Sequence, residues 1–225
     1  MQDIKTITLR SKAGSVNCYL VKTDKGYILI DTLFPTMRDA LEKELENAGC
    51  TPGNLQLIVL THGDIDHAGN CAYLREKYGA HIAIHRDDSR MVERGDPSWN
   101  RKMPPDKISI PFIVRSLLFG RGKLERFKPD FYFEDGYDLS EYGFDAKILH
   151  LPGHSKGSIG ILTIDGDLFC GDLLKNIDKP DFHWLIFDVA AANASVERLK
   201  SLNIDTVYPG HGKPFPMKRF IKNEK

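Results

Sequence analysis

Leu57-Ile58-Val59-Leu60-Thr61-His62-Gly63-Asp64-Ile65-Asp66-His67 is the stretch whose reading decides the fold. Four uncharged apolar residues run straight into a glycine-containing turn, as a strand buried on both faces does when it ends. The turn holds two histidines and two aspartates within six residues, a density with no packing rationale. Imidazole and carboxylate are the donors that borderline divalent cations take. The same pattern recurs along the chain. Ile148-Leu149-His150-Leu151 runs into Pro152-Gly153-His154-Ser155, and Leu168-Phe169-Cys170 into Gly171-Asp172-Leu173. Thr206-Val207-Tyr208 runs into Pro209-Gly210-His211-Gly212, and Tyr27-Ile28-Leu29-Ile30 ends in Asp31. Loops at strand carboxyl ends of an α/β sheet converge on one crevice, so these five ends together predict a metal cluster. Taken singly, His154 and His211 read as packed or solvated residues and Asp172 as a turn former. Asp66 reads as a helix cap that can bind metal at the same time. The joint occurrence carries the reading.

Around these ends, short β-branched runs predict strands at 16–21, 27–30, 55–60, 81–85, 146–151, 158–164, 167–170 and 206–208. Apolar stripes predict helices at 37–48, 68–78 and 195–202, the last opening on a capping serine. Strands and helices alternate on both sides of a less regular stretch at 86–143, read as an insertion or lid within one domain spanning 1–225. The 31 basic and 31 acidic residues cancel, which argues against a broad nucleic-acid-binding surface. No apolar run is long enough for a membrane span, and the first residues lack a secretory pattern. Cys18, Cys50, Cys71 and Cys170 are scattered and form no C-x-x-C pair, which predicts reduced cysteines and a cytoplasmic protein.

His62-Gly63-Asp64-Ile65-Asp66-His67 resembles the His-x-His-x-Asp-His motif of the metallo-β-lactamase superfamily. His154 in Pro-Gly-His-Ser, Asp172 in Cys-Gly-Asp and His211 in Pro-Gly-His-Gly match that family's later motifs in order and spacing. Asn17-Cys18-Tyr19-Leu20-Val21 and Leu29-Ile30-Asp31-Thr32 resemble its opening segments, so the likeness covers nearly the whole chain. It implies an α/β fold, a four-layer αββα sandwich of two mixed sheets with helices on the outer faces. It also implies two divalent metal ions: His62 and His154 on the first, Asp66, His67 and His211 on the second, and Asp172 bridging. One position departs. Asp64 stands where the family has a first-metal histidine, and its shorter side chain ligates directly, through water, or not at all. A ligating Asp64 shifts preference from zinc toward iron or manganese. A carboxylate there also resembles the di-iron flavodiiron proteins.

The resemblance implies a hydrolase in which a metal-bound hydroxide attacks an ester, thioester, lactone or similar small-molecule bond, with Asp66 as the catalytic proton-steering group. The rival expectation is a di-iron redox protein, reducing oxygen or nitric oxide with a separate electron donor. Asp31 and Thr61 are expected to accept the outer N–H of metal-bound imidazoles. His183 and Trp184 lie in a loop that often faces the site in the family, which makes them substrate-contact candidates. His81, His85 and His150 read as structural. The expected partner is a small-molecule substrate, with no nucleic acid and no membrane. The apolar residues at 103–119 and Phe131-Tyr132-Phe133 could wall a lipophilic pocket, build a homodimer surface or pack over the sheet edge.

Overall fold

The computed structural model describes residues 3–11, 14–96, 98–99, 101 and 124–223. A first sheet is ordered β1 (Asp3–Ser11), β2 (Gly14–Thr23), β3 (Gly26–Ile30), β4 (Leu55–Val59), β5 (His81–His85) and β6 (Phe131–Phe133). Its first three strands pair antiparallel and the remainder parallel. The second half contributes β7 (Ala146–His150), β8 (Ile159–Thr163), β9 (Asp167–Asn176), β10 (Pro180–Phe182), β11 (Thr206–Gly212) and β12 (Phe215–Pro216). They form a second sheet ordered β12-β11-β9-β8-β7, with β10 paired on β9. Both sheets are therefore mixed, since β9 and β11 run parallel.

Period-two alternation explains how the layers stack. Leu57 and Val59 join Tyr19, Val21, Ile28 and Ile30 in a core shared with Ile148, Ile159, Ile161 and Phe169 of the facing sheet. Their neighbours Ile58 and Leu60 point the other way. There they pack with Leu41 and Leu45 of α1 (Arg38–Asn47) and with Cys71, Leu74 and Tyr78, which lie beyond the short α2 (Ile65–Ala68) in α3 (Cys71–Tyr78). A further short helix, α4 (Ser89–Arg94), follows β5. Beyond the second sheet, Leu168, Cys170 and Val207 meet Ala192, Val196 and Leu199 of α5 (Val189–Lys200) and Phe220 of α6 (Met217–Asn223). Every central strand is thus apolar on both faces, and the order is helix, sheet, sheet, helix. The αββα expectation holds.

Several boundaries differ from those expected. The helix expected over 68–78 is two pieces, because Gly69 passes against the chain leaving β3. A Cβ at Gly69 would meet the Leu33 carbonyl oxygen at 2.4 Å, and its own N–H donates to that oxygen. The last predicted helix begins earlier, at Val189, where the Asp188 carboxylate accepts from the Ala191 N–H. Ser195, expected as its cap, instead donates to the Pro152 carbonyl. β9 continues through Asp172 to Asn176. Of the segment 86–143, residues Phe131–Phe133 complete the first sheet as β6. The apolar run at 103–119 lies outside the described residues.

Phe169 is fully buried between the sheets, with ring centroids 5.1 Å from Tyr19 and 5.0 Å from Tyr208. Phe169→Ala should cost about 3–5 kcal/mol. Denaturant unfolding monitored by tryptophan fluorescence reads this as a lower midpoint at unchanged slope.

Candidate metal centre

Asp31 stands at the carboxyl end of β3 with φ at 62°, a left-handed backbone that a non-glycine residue rarely adopts. That conformation turns its carboxylate across to the loop after β4. Oδ1 accepts from the Thr61 backbone N–H at 2.8 Å. Oδ2 accepts from Thr61 Oγ1 and from His67 Nδ1, both at 2.8 Å. Because the Thr61 hydroxyl donates to Asp31, its oxygen accepts from His62 Nδ1 at 3.0 Å. His154 Nδ1 donates to the Leu185 carbonyl at 2.6 Å, and His211 Nδ1 to the Ser15 carbonyl at 2.7 Å. All four imidazoles thereby spend Nδ1 on an oxygen, which aims Nε2 inward.

The inward nitrogens surround Asp172, which projects from β9. His67 and His211 Nε2 lie 3.4 Å from its carboxylate, and His62 and His154 Nε2 lie 3.9 Å away. Asp66 reaches His211 Nε2 at 3.4 Å and His67 Nε2 at 3.8 Å. These are close to the spacings of donors around one ion, roughly 3.3–3.5 Å for bonds of about 2.0–2.1 Å in a tetrahedron. Among the described residues the donors fall into two groups in Asp172's neighbourhood, His62–His154–Asp172 and Asp66–His67–His211, and a third, Asp172–His183–His211, overlaps both. Gly210 permits the close packing, since a Cβ there would sit 2.3 Å from Asp172 Oδ1 and 2.7 Å from the His67 ring.

The chemistry of the cluster fits a bound cation. His62 Nε2, His67 Nε2 and Asp172 Oδ1 are buried with no hydrogen-bond partner among the described residues. Such groups are costly to leave unsatisfied. Burial opposes charge on His67, yet Asp172, Asp31 and Asp66 outweigh it and raise the ring well above the usual imidazole range. His211 is likewise disfavoured by burial but raised to about 10, chiefly by Asp172 and Asp66. Burial would raise the carboxyl of Asp172, but the positive charge gathered on the surrounding imidazoles holds it well below its usual range. The acids attract positive charge, and protons supply it when metal does not.

The structure brings His62, Asp66, His67, His154, Asp172 and His211 together. Asp64 stands at the His62–His154 position, its Oδ2 2.9 Å from His154 Nε2 and 3.4 Å from His62 Nε2. Its two oxygens face the guanidinium of Arg101 in a forked pair, Nη1 at 2.6 Å and Nη2 at 2.9 Å. Asp64 therefore meets the first position as one half of an ion pair with Arg101. His183 enters the cluster with Nε2 3.3 Å from Asp172, buried and stacked on His211. Trp184 leans on His183 and His211 at 4.2 and 5.4 Å while staying partly exposed. Sequence reasoning missed Arg101 altogether. Outside the cluster, His85, Asp87 and His150 offer ligand atoms within 4.8 Å of one another, but the two rings stack 4.3 Å apart and 3° from parallel, so their lone pairs run side by side. His85 Nδ1 accepts from the Asp87 N–H.

The metallo-beta-lactamase superfamily model matches residues 11–211. The chain belongs to this superfamily. It is 29% identical to a hydroxyacylglutathione hydrolase, GloC, of Haemophilus influenzae, over 71% of this chain and 69% of that one. It is 25% identical to the acyl-coenzyme A thioesterase MBLAC2 of Bos taurus, covering 92% of this chain and 76% of that one. The solved structure of TTHA1623 in a di-iron-bound form superposes with a TM-score of 0.74 at 28% identity, over 97% of both chains. Like the two relatives named as a hydrolase and a thioesterase, the chain is a hydrolase of the metallo-β-lactamase fold. No described helix is long and apolar enough to cross a membrane.

The raised imidazoles set a pH dependence. A raised folded-state pKa contributes stability below the unfolded value, about 6.5 for histidine, and loses it as pH climbs through the folded value. For His211 that window runs to about 10. Metal-free protein should therefore lose thermal stability between about pH 6.5 and 10, whereas metal-loaded protein, with the rings held neutral, should not. Melting temperatures of both forms across this range check it.

Proposed function

We propose that the protein is a metal-dependent hydrolase of small-molecule thioesters and related esters or lactones. The observation that carries this reading is the set of four imidazoles, each committed through Nδ1, that turn Nε2 on the buried Asp172. His62, His154 and Asp172 would hold one cation, and Asp66, His67 and His211, with Asp172 shared, the other. Bound cations polarise a carbonyl and bring the pKa of water close to neutrality.

The chain's own groups then have separate tasks. Asp31 holds the His67 Nδ1 proton, which fixes the ring's direction. Asp66, partly exposed at the rim, is the carboxylate best placed to take up a proton beside the substrate. His183 Nδ1 accepts from the Leu185 N–H at 3.3 Å, so its proton sits on Nε2 and faces the centre. Burial holds this ring neutral, well below its usual range. A neutral N–H aimed into a buried site suits the oxygen on which negative charge develops. Trp184 supplies an apolar wall at the mouth. Two relatives named as a hydroxyacylglutathione hydrolase and an acyl-coenzyme A thioesterase support the thioester choice.

A second reading has one observation in its favour, the di-iron-bound form of TTHA1623. It is a di-iron redox protein served by a separate electron donor. Turnover of acyl thioesters that chelation abolishes, metal restores and redox conditions leave unchanged supports hydrolysis. Turnover appearing only with a reductant and oxygen or nitric oxide contradicts it.

Two substitutions separate the roles. Asp172→Ala should lose bound metal and turnover together, read by metal analysis and a thioester assay. His183→Gln should retain metal and lower kcat by roughly 10²-fold with KM little changed, the size of loss expected for one oxyanion donor. Metal loss in His183→Gln would instead make His183 a ligand.

A further inference from the structure

Arg101 is held on three sides at the first-metal end of the cluster. Its guanidinium forks onto Asp64 at 2.6 and 2.9 Å, lies 4.7 Å from the centroid of the Phe187 ring, and brings Nη2 to 3.2 Å from His154 Nε2. The Arg101 side chain is only 7% exposed. Phe187 also packs edge-on against His154, 5.9 Å between ring centroids. The contact with His154 matters most, because Nδ1 of that ring already donates to Leu185 and Nε2 is its one lone pair for a metal. A guanidinium N–H therefore stands, beside Asp64 Oδ2 at 2.9 Å, at the nitrogen that the first cation would use. No comparable cation touches Asp66, His67 or His211 among the contacts of the described residues.

We propose that Arg101 is a built-in competitor for the first metal position, so that the centre fills in order, the Asp66–His67–His211 position before the His62–His154 position. The proposal rests on the reading of this cluster as a metal centre. Filling the first position requires the guanidinium to withdraw from His154, and its positive charge continues to oppose a divalent cation nearby. The pairing also accounts for Asp64. Asp64 and Arg101 together carry no net charge, which leaves Asp66 and Asp172 as the two acids that attract cations. The first position thus has one of its nearby carboxylates, Asp64, engaged by a resident cation, and the second keeps its full set of donors.

Equilibrium dialysis of metal-depleted protein against buffered free Zn²⁺, with bound metal counted, tests this without reference to activity. Wild type should plateau at one equivalent before taking the second, the two steps at least tenfold apart. Arg101→Met should tighten the second step by at least tenfold and leave the first unchanged. Arg101→Lys, which keeps a charge but not the fork, should retain the separation and guards against a Met variant that fails to fold. Circular dichroism confirms folding of each. Two equal steps in wild type, or a second step unmoved or weakened in Arg101→Met, overturns the proposal while leaving the metal centre standing. A wild type that binds no zinc, iron or manganese overturns the metal centre itself and the proposal with it.

Discussion

A carboxylate taken out of water has to be given positive charge, and this protein has buried Asp172 among imidazoles that can supply it only by binding protons or metal. Removal of water makes an unpaired anion costly by several kcal/mol, far more than any surface pair returns. The geometry around Asp172 follows from that requirement. Asp31, Thr61, Leu185 and Ser15 each take the outer proton of one ring, so four rings present their other nitrogen to the same volume. The strained backbone at Asp31 is maintained by the bonds its carboxylate makes across to the next strand's loop.

The sandwich is what brings these acceptors together. His62 and His67 come from the first sheet, and His154, Asp172 and His211 from the second, so the centre exists only where the sheets meet. That meeting is pinned by the amide of Asn17, which donates from β2 to the carbonyls of Pro209 and Gly212 on β11. Asp88 adds a second link. Its buried carboxylate accepts from Ser155 Oγ and the Gly157 N–H of one loop and approaches the Gly63 N–H of the other. The ligand-bearing loops are thus fastened to each other as well as to their strands.

Much of this was legible in the sequence because the signals are local. Uninterrupted apolar runs such as Leu57–Leu60 announce strands buried on both faces, and His or Asp at their ends announces where the loops converge. The parts that were not legible depend on contacts distant along the chain. Arg101 lies 37 residues from Asp64 in an irregular stretch, with nothing local to mark it. His183 reads as a substrate contact, and its place 3.3 Å from Asp172 comes from the pairing of β10 on β9, which no local signal marks. The interruption at Gly69 comes from a backbone approach by Leu33, which no helical periodicity registers. β1 was missed because its sequence, DIKTITLRS, is too charged to resemble a core strand, as suits an edge strand paired on one side.

The central claim is that His62, Asp66, His67, His154, Asp172 and His211 form one cation-binding centre between the sheets. A crystal structure of the protein purified without added metal, with anomalous difference maps collected on both sides of the iron and zinc absorption edges, tests it most directly. The account predicts an anomalous peak within bonding distance of Asp172, with the strongest density at the Asp66–His67–His211 position. A map empty there after loading with metal, or a peak at His85 and His150 instead, would contradict it.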